Sequence, residues 1–275
     1  MRALPIRIAD PQDPRIAGFV SIKERDLTGR HGRFIAEGTV VLRMLAQAHR
    51  AGRGVEAEAV LVLESRLAGI ADILAAFPAH VPVFVSDKTV FNAIAGFDMH
   101  RGVLALGKRD AAPGLQTLIA SLPAKSLVLA ACNISNHDNM GSMFRNAAAF
   151  GVDAILMDAT SCDPMYRKSI RVSVGSALTL PFARQGSIHH LLSLLRDAGF
   201  AIWGLSPRGK TDLQHIPAAP RIALVAGTEG EGLPVDILSS IRTARIRQRP
   251  GLDSLNVATA TGIALHQIAT IKEIL

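Results

Sequence analysis

The strongest constraint on the fold of this chain is a series of short, apolar, β-branched segments, each followed by a stretch with helical spacing. Segments of this kind are typical of strands buried on both faces, as in a parallel sheet covered by helices. Helical crossovers between parallel strands favour the same arrangement. In the second half of the chain the predicted strands are Ser126–Cys132, Ala154–Met157, Ala177–Phe182, Phe200–Leu205, Ile222–Gly227 and Ala244–Arg247.

The first hundred residues show the same alternation on a smaller scale. A basic helical segment is predicted over Pro14–Leu27, followed by a loop at Thr28–Arg33. Strands that alternate with helices predict a small α/β sandwich. Its predicted strands are Phe34–Gly38, Ala59–Leu63, Val81–Ser86 and Gly102–Arg109.

A change in composition separates the two halves. Pro113, Gly114 and Pro123 surround an amphipathic LQTLIASL, a pattern that indicates a linker with one docked helix. We therefore predict a first domain over residues 1–110, a linker over 111–124 and a second domain over 125–275.

The charge balance favours a polyanionic partner. Thirty Lys plus Arg stand against 23 Asp plus Glu, a net charge of +7, so RNA or DNA is a candidate ligand. Cys132 and Cys162 belong to no CxxC motif, which disfavours a disulfide framework or a cysteine zinc site and indicates a reducing compartment. No apolar run reaches the ~18 residues of a membrane span. We expect a cytoplasmic, soluble protein.

Two glycine-rich segments resemble phosphate-binding loops. Gly204–Thr211 (GLSPRGKT) has the spacing of a phosphate loop, but Pro217 and Pro220 follow too soon for the helix that such a loop must open. We predict a polar turn there rather than nucleotide hydrolysis. Gly227–Pro234 (GTEGEGLP) does not match the dinucleotide fingerprint, so it is either a ligand loop at a strand end or a plain turn. Glu229 within it could bond a ligand or cap backbone amides.

A polar loop follows the first strand of the second half. The segment Asn133–Gly151 groups several polar side chains, among them Asn139, and its helix carries Arg145. Because Arg145 is flanked by Phe144 and alanines, we expect it to project towards a site. The alternative is an ion pair with a buried carboxylate.

A third polar group precedes the last helix, which is predicted over Val257–Leu275. Ser254 is an N-cap candidate for this helix, and Asn256 lies beside it. The G-x-S-x-G motif of hydrolases is absent from the sequence. No metal-ligand spacing occurs among His137, His189 and His190, so we predict no metal site.

In their order, these three motifs resemble the SpoU-type, or TrmH-like, branch of the SPOUT RNA 2′-O-ribose methyltransferases. They are N-M-G-x-x-x-R from Asn139 to Arg145, G-T-E-G-x-G-L from Gly227 to Leu233, and S-L-N-V-A from Ser254. The first half, with RDLTGRHGRFIAEG and HRGVLALGKR, looks like the L30e-like substrate-binding domain that many of these enzymes carry. The chain departs from many relatives at Ile246-Arg247-Gln248, where they have Ile-Pro-Met.

The resemblance implies a deep trefoil knot in the second domain, S-adenosylmethionine as cofactor, and a homodimer. It assigns to Arg145 the help in removing the proton of the ribose hydroxyl. Because arginine is a poor base, we expect Arg145 instead to orient the hydroxyl and a phosphate and to stabilise developing negative charge. The residues implied to hold Arg145 and the ribose are Asn139, Glu229, Ser254 and Asn256. The residues implied to contact the cofactor are Gly227, Thr228, Gly230, Ile246 and Leu255.

The first domain is then expected to bind RNA through phosphate contacts and shape, because only 4% of residues are aromatic. Two basic groups are candidates, although either could be plain solvated surface. The first is Lys23, Arg25, Arg30, His31 and Arg33, and the second is Arg242, Arg245, Arg247 and Arg249. The competing function is a non-catalytic RNA-binding or ribosome-assembly protein. Whether the target is ribosomal or transfer RNA stays open.

Overall fold

The computed structural model describes residues 4–20, 32–96, 101–249, 251 and 254–273. The chain divides into two compact units. The first comprises Met1–Ala111 with Met165–Thr179, and the second comprises Ala112–Pro164 with Leu180–Leu275. The later segment of the first unit therefore interrupts the second unit in sequence.

The first unit is built on a five-stranded mixed sheet with the order β1-β4-β3-β5-β2. Its strands are β1 (Ile6–Arg7), β2 (Arg33–Glu37), β3 (Val55–Leu63), β4 (Val83–Ser86) and β5 (Val103–Arg109). Its helices are α1 (Thr39–Arg50), α2 (Ala71–Ala75), α3 (Lys88–Ala95) and, from the later segment, α6 (Arg167–Val172). Strands β1, β4 and β3 are parallel, whereas β5 is antiparallel to β3 and β2.

Helices cover both faces of this sheet, as the alternating pattern predicts. Helix α1 packs on β2, β3 and β5. Phe91 and Ile94 of α3, with Phe19 of a short 3₁₀ turn, join the apolar core on a shared face. Helix α3 has both of the expected end signals, because Asp87 accepts a hydrogen bond from the Val90 amide at 2.8 Å and Gly96 ends the helix with φ of 80°.

The second unit is built on a seven-stranded sheet with the order β10-β12-β9-β11-β6-β7-β8. Its strands are β6 (Ser126–Ala131), β7 (Ala154–Met157), β8 (Phe182–Arg184), β9 (Ala201–Leu205), β10 (Thr211–Asp212), β11 (Arg221–Ala226) and β12 (Arg242–Arg245). Its helices are α4 (Leu115–Ser121), α5 (His137–Ala149), α7 (Ile188–Asp197), α8 (Val235–Ser240) and α9 (Val257–Ile271). All its strand pairings are parallel. The prediction of an α/β fold with a mostly parallel sheet is confirmed.

Apolar packing holds helices on both faces of this sheet. Side chains of α4, α7 and α8 share one core with β6, β7, β9 and β11. Helix α9 packs against α5 and β11. Gly262 of α9 permits that approach, because a Cβ atom there would lie 2.9 Å from Nδ2 of Asn146 on α5. The helix inside the predicted linker, α4, belongs to this core.

The strand order reverses between β6 and β11. From β6 the chain passes through α5 to β7 on one side, and from β11 it passes through α8 to β12 on the other. Ala131 pairs with Ala226, so both strands end at the same level. Ligands of open α/β sheets bind outside the carboxyl ends of strands at such a reversal. A ligand site is therefore expected at this edge of the sheet.

Two predicted elements have the wrong type over part of their length, and the strand predicted at Ala244–Arg247 instead spans Arg242–Arg245. The strand predicted at Ala177–Phe182 is a 3₁₀ turn over Ser176–Leu178, and strand β8 begins only at Phe182. Gly175 enters the turn with φ of 88°, a left-handed conformation that interrupts an extended chain. Within the predicted helix Pro14–Leu27, Pro14–Phe19 is a 3₁₀ turn and residues 21–27 lie outside the described residues.

None of the helices in the described part of the chain combines the length and the apolar composition needed to cross a bilayer.

Candidate active site

A hydrogen-bonded cluster of three side chains lies at the edge where β6 and β11 end. Nδ2 of Asn139 donates to Oε2 of Glu229 at 3.0 Å. Nδ2 of Asn256 donates to Oδ1 of Asn139 at 2.9 Å and to Oε1 of Glu229 at 3.4 Å. The three residues come from α5, the loop after β11 and the start of α9. The structure thus brings together one residue from each of the three sequence motifs.

The direction of these hydrogen bonds is fixed by the start of α9. Oδ1 of Asn256 accepts from the backbone amides of Ala258 and Thr259 at 2.9 and 3.3 Å, so it is the N-cap of the helix. An amide that accepts through its oxygen must donate through its nitrogen. Asn256 therefore donates to Asn139, and Asn139 donates to Glu229. Each carboxylate oxygen of Glu229 receives one N–H and keeps capacity to accept another.

The prediction of Ser254 as the N-cap is wrong. Ser254 is exposed and lies two residues before the cap, which is Asn256. A serine oxygen could have bonded the helix amides, but only an asparagine also has an N–H for Asn139 and Glu229.

The loop that carries Glu229 is a tight turn at the end of β11. Thr228 and Gly232 form a β-bridge, closed by the Gly232 amide donating to the Thr228 carbonyl at 3.0 Å. A Cβ atom at Gly227 would lie 2.3 Å from the carbonyl carbon and oxygen of Gly232, so only glycine fits there. Gly230 has φ of 88°, and Glu229 is exposed at the turn's tip. The glycines shape the turn that presents Glu229.

Arg145 lies apart from the cluster. Arg145 is six positions after Asn139 on α5, which corresponds to about 9 Å along the helix axis and about 120° around it. Asn139 is buried, whereas Arg145 is exposed. Among the described residues none forms a hydrogen bond or ion pair with Arg145. Pairing with a buried carboxylate, the structural alternative for this residue, is not observed.

The expected cofactor contacts lie on the loop that follows β11 and on the segment that follows β12. Ile246 and Leu255 are half-buried on the segment between β12 and α9, Thr228 is half-buried, and Gly230 is exposed. Gln248 on that segment is not among the predicted cofactor contacts, although it belongs to the Ile246-Arg247-Gln248 stretch where the chain departs from many relatives. Its Oε1 atom is buried, and no described residue donates a hydrogen bond to it.

Asp158 is a second residue that the sequence did not reveal. Its buried carboxylate follows β7 and accepts hydrogen bonds from the Asn133 amide at 3.1 Å and from the Ser161 amide and hydroxyl at 3.0 and 2.7 Å. Asn133 has φ of 54°, an uncommon backbone conformation for a residue other than glycine. Asp158 thereby fixes the loop that leads from β6 into α5.

The second basic group does not form a free cationic track. Arg245 Nε and Arg247 Nε donate to the buried carboxylate of Asp212 at 2.7 and 2.8 Å. These hydrogen bonds, with Arg247 contributing most, lower the pKa of Asp212 to about 2. Arg242 lies over the ring of Trp203 at 5.7 Å from its centroid. Two of the four arginines therefore serve an internal ion pair.

Arg33 is the one residue of the first basic group that lies among the described residues. Lys23, Arg25, Arg30 and His31 lie outside the described residues. Arg33 begins β2 and pairs with both carboxylate oxygens of Glu58, through Nε at 2.7 Å and Nη2 at 3.2 Å.

The segment with phosphate-loop spacing is a structural turn. A Cβ atom at Gly209 would lie 2.4 Å from the Ala244 carbonyl carbon, so the turn lies directly against β12. Strand β10 and a 3₁₀ turn over Leu213–His215 follow it, instead of the long helix that binds phosphates.

A shallow groove of about 410 Å³ lies at the amino ends of β9 and β12, and it is lined by residues 199–202 and 240–242 with Arg196. It is therefore at the opposite end of the sheet from the cluster.

Comparison with known proteins agrees with this geometry. The model of the SpoU rRNA methylase family matches residues 126–266. An uncharacterised tRNA/rRNA methyltransferase of Mycobacterium tuberculosis is 35% identical over 94% of this chain and 90% of its own length. A 23S rRNA (guanosine-2′-O-)-methyltransferase of a Burkholderia species is 27% identical over 69% of this chain and 77% of its own. The structure of an AdoMet-bound rRNA methyltransferase from Sinorhizobium meliloti superposes with a TM-score of 0.77 at 22% identity, covering 96% of this chain and 97% of that one. The chain belongs to the SpoU rRNA methylase family.

Proposed function

We propose that this protein is an S-adenosylmethionine-dependent methyltransferase that acts on a ribose 2′-hydroxyl of ribosomal or transfer RNA. The observation that carries the proposal is the cluster of Asn139, Glu229 and Asn256 at the strand-order reversal. It unites the three motifs in one hydrogen-bonded network. The names of the relatives, which include tRNA/rRNA and 2′-O-methyltransferases, support the same reaction and substrate class.

The residues at this edge suit S-adenosylmethionine. The cofactor offers N–H donors on its adenine and its ammonium, and Gln248 presents a buried oxygen that has no donor among the described residues. The tight turn from Gly227 and the half-buried side chains of Ile246 and Leu255 would supply backbone and apolar contacts. The bound cofactor supplies a methyl group activated by its sulfonium.

The protein's part in the reaction is positioning. Glu229 is exposed at the tip of its turn and is held by Asn139 and Asn256, so its remaining acceptor sites can bind ribose hydroxyls. Holding a hydroxyl in line with a methyl group removes much of the entropic barrier to transfer. A guanidinium beside the attacking oxygen would stabilise the negative charge that develops as its proton passes to solvent.

Arg145 supplies this guanidinium in our proposal, and it does so across a homodimer interface. Arg145 is exposed, and helix α5 separates it from Asn139 of the same chain. A second copy that contributes its own Asn139 and Glu229 would bring the two halves of the site to one ribose.

We also propose that the second unit contains the trefoil knot. Contact of α9 with the 213–215 turn supports that chain path.

We propose that the first unit binds RNA, through residues that include Lys23, Arg25, Arg30 and Arg33, and that the second unit transfers the methyl group. We also propose that the protein acts in the cytoplasm.

The two cysteines support a reducing compartment and argue against thiol chemistry. Cys132 and Cys162 are both free, and burial raises the pKa of their thiols to about 12 and about 11. Neither is a thiolate nucleophile at neutral pH.

The proposal is tested by mapping 2′-O-methylation in total RNA from cells with and without the gene. We expect one or a few sites to lose their methyl group and to regain it when purified protein and S-adenosylmethionine are added. Unchanged methylation, together with RNA binding in the absence of cofactor binding, would identify a non-catalytic RNA-binding or assembly protein instead.

Replacing Gln248 with leucine is expected to have opposite effects on the free protein and on its complex. A buried polar atom without a partner costs stability, so Gln248→Leu should raise the melting temperature of the cofactor-free protein. Loss of a hydrogen bond to the cofactor should weaken S-adenosylmethionine binding by about 5- to 10-fold. Calorimetry and thermal denaturation measure the two effects, and unchanged affinity would remove Gln248 from the cofactor site.

A further inference from the structure

A buried carboxylate in the first unit takes no part in the proposed reaction. Glu37, the last residue of β2, is only 5% exposed. Its Oε2 atom is buried and accepts no hydrogen bond from the described residues. A buried charge is costly unless other charges compensate for it, so the surroundings of Glu37 need an explanation.

Two arginines of the later segment surround this carboxylate. Arg167 Nε and Arg171 Nη1 each lie 3.7 Å from Glu37 Oε2. That distance is longer than a hydrogen bond, so Glu37 attracts both guanidiniums without using their N–H groups. The Arg167 and Arg171 side chains remain 26% and 38% exposed. Both arginine side chains therefore reach solvent, while the buried carboxylate of Glu37 holds them in place.

A third arginine lies over the same corner. Gly38 follows Glu37 with φ of 94°, and a Cβ atom there would lie 3.1 Å from both Cδ and Nη1 of Arg101. The Arg101 side chain thus occupies the space above Gly38, and Arg101 is itself exposed. Within the described part of the chain, three guanidiniums therefore lie at the corner formed by Glu37 and Gly38.

We infer that Arg101, Arg167 and Arg171 form a binding site for RNA backbone phosphates, and that Glu37 is a positioning residue that holds Arg167 and Arg171 towards the RNA. Guanidinium forks match the oxygens of phosphates, and fixed forks lose less entropy on binding than free side chains. The inference rests on the proposed RNA substrate, and it adds a contact that does not depend on the first basic group.

Substitution of Glu37 separates positioning from simple electrostatics. Glu37→Gln removes a negative charge near RNA, so long-range attraction alone predicts tighter binding. If Glu37 instead holds the arginines in place, the variant binds RNA more weakly, by roughly 3- to 10-fold for re-ordering rotamer-rich side chains. The sign of the change distinguishes the two.

The measurement is fluorescence anisotropy of a fluorescein-labelled RNA hairpin titrated with full-length protein at about 50 to 200 mM salt. We expect Arg167→Gln/Arg171→Gln to make the slope of log affinity against log salt shallower by about 1 to 2, because two phosphate contacts are lost. The matched control is Arg7→Ala/Arg15→Ala, which removes two exposed arginines that pair with Glu64 and Asp13. This control should retain the affinity and slope of the wild type.

Thermal denaturation checks the folding of each variant. If the double variant fails to fold because Glu37 is left unpaired, Arg171→Gln alone keeps Arg167 as a partner and should still lower the slope by about 1. Wild-type affinity and slope in the arginine variants, or tighter binding by Glu37→Gln, would overturn the inference. Failure of the wild-type protein to bind RNA would instead contradict the proposed function.

Discussion

Replacing Arg145 with alanine is expected to lower the rate of methyl transfer by roughly 10²-fold or more, the usual scale for losing a positioned electrostatic group. Arg145 is exposed and has no partner among the described residues, so its removal should not disturb packing. S-adenosylmethionine affinity should therefore persist. Single-turnover rates with methyl-labelled cofactor give the comparison.

Arg145→Lys should restore little of this activity, because an ammonium cannot reproduce the two-pronged guanidinium. Arg196→Ala, which removes another exposed arginine of the second unit, is the matched control and should keep the wild-type rate. Methyl transfer by Arg145→Ala at a near wild-type rate would exclude the catalytic role. Loss of the dimer in that variant would show that Arg145 acts in assembly.

Asn256→Asp is expected to lower methyl transfer by a similar factor of about 10² while leaving α9 capped. The new carboxylate can still accept from the Ala258 and Thr259 amides, because aspartate is as good an N-cap as asparagine. It cannot donate to Asn139, and it places a second negative charge beside Glu229. The network that orients Glu229 should therefore break.

Asn256→Ala provides the comparison for this variant, since it loses both the cap and the network. We expect a further cost of about 1 kcal/mol in the free energy of unfolding for Asn256→Ala relative to Asn256→Asp. Denaturant titration measures that difference, and single-turnover kinetics measure the activity of both. An active Asn256→Asp variant would show that only the cap matters.

Most of the sheet architecture was predictable because it depends on local patterns. Residues 127–132, 154–157 and 222–226 are apolar throughout and buried, which is typical of strands covered on both faces. The segment 177–182 has a similar composition, yet a left-handed Gly175 before it makes it a turn. Composition alone does not predict this left-handed backbone conformation.

The candidate site was predictable only through the order of its motifs. Asn139, Glu229 and Asn256 are 90 and 27 residues apart in sequence. The parallel register of β6 and β11 brings Asn139 and Glu229 to the same edge, and packing of α9 against α5 adds Asn256. The ion pairs of Asp212 show the opposite case, in which a pattern visible in the sequence misleads. Arg245 and Arg247 look like a basic surface in sequence, but pairing of β10 with β12 places a carboxylate from 33 and 35 residues away against them.

The later segment of the first unit affects how the protein is made. Residues 165–179 complete the first unit, although the chain of the second unit begins at residue 112. Until residue 179 has left the ribosome, Glu37 stays without Arg167 and Arg171, and Gly175 is not yet against Met44 of α1. A nascent chain stopped after residue 111 would thus present an incomplete unit, and completion of the first unit must wait until β6 and β7, two of the seven strands of the second unit's sheet, have been translated.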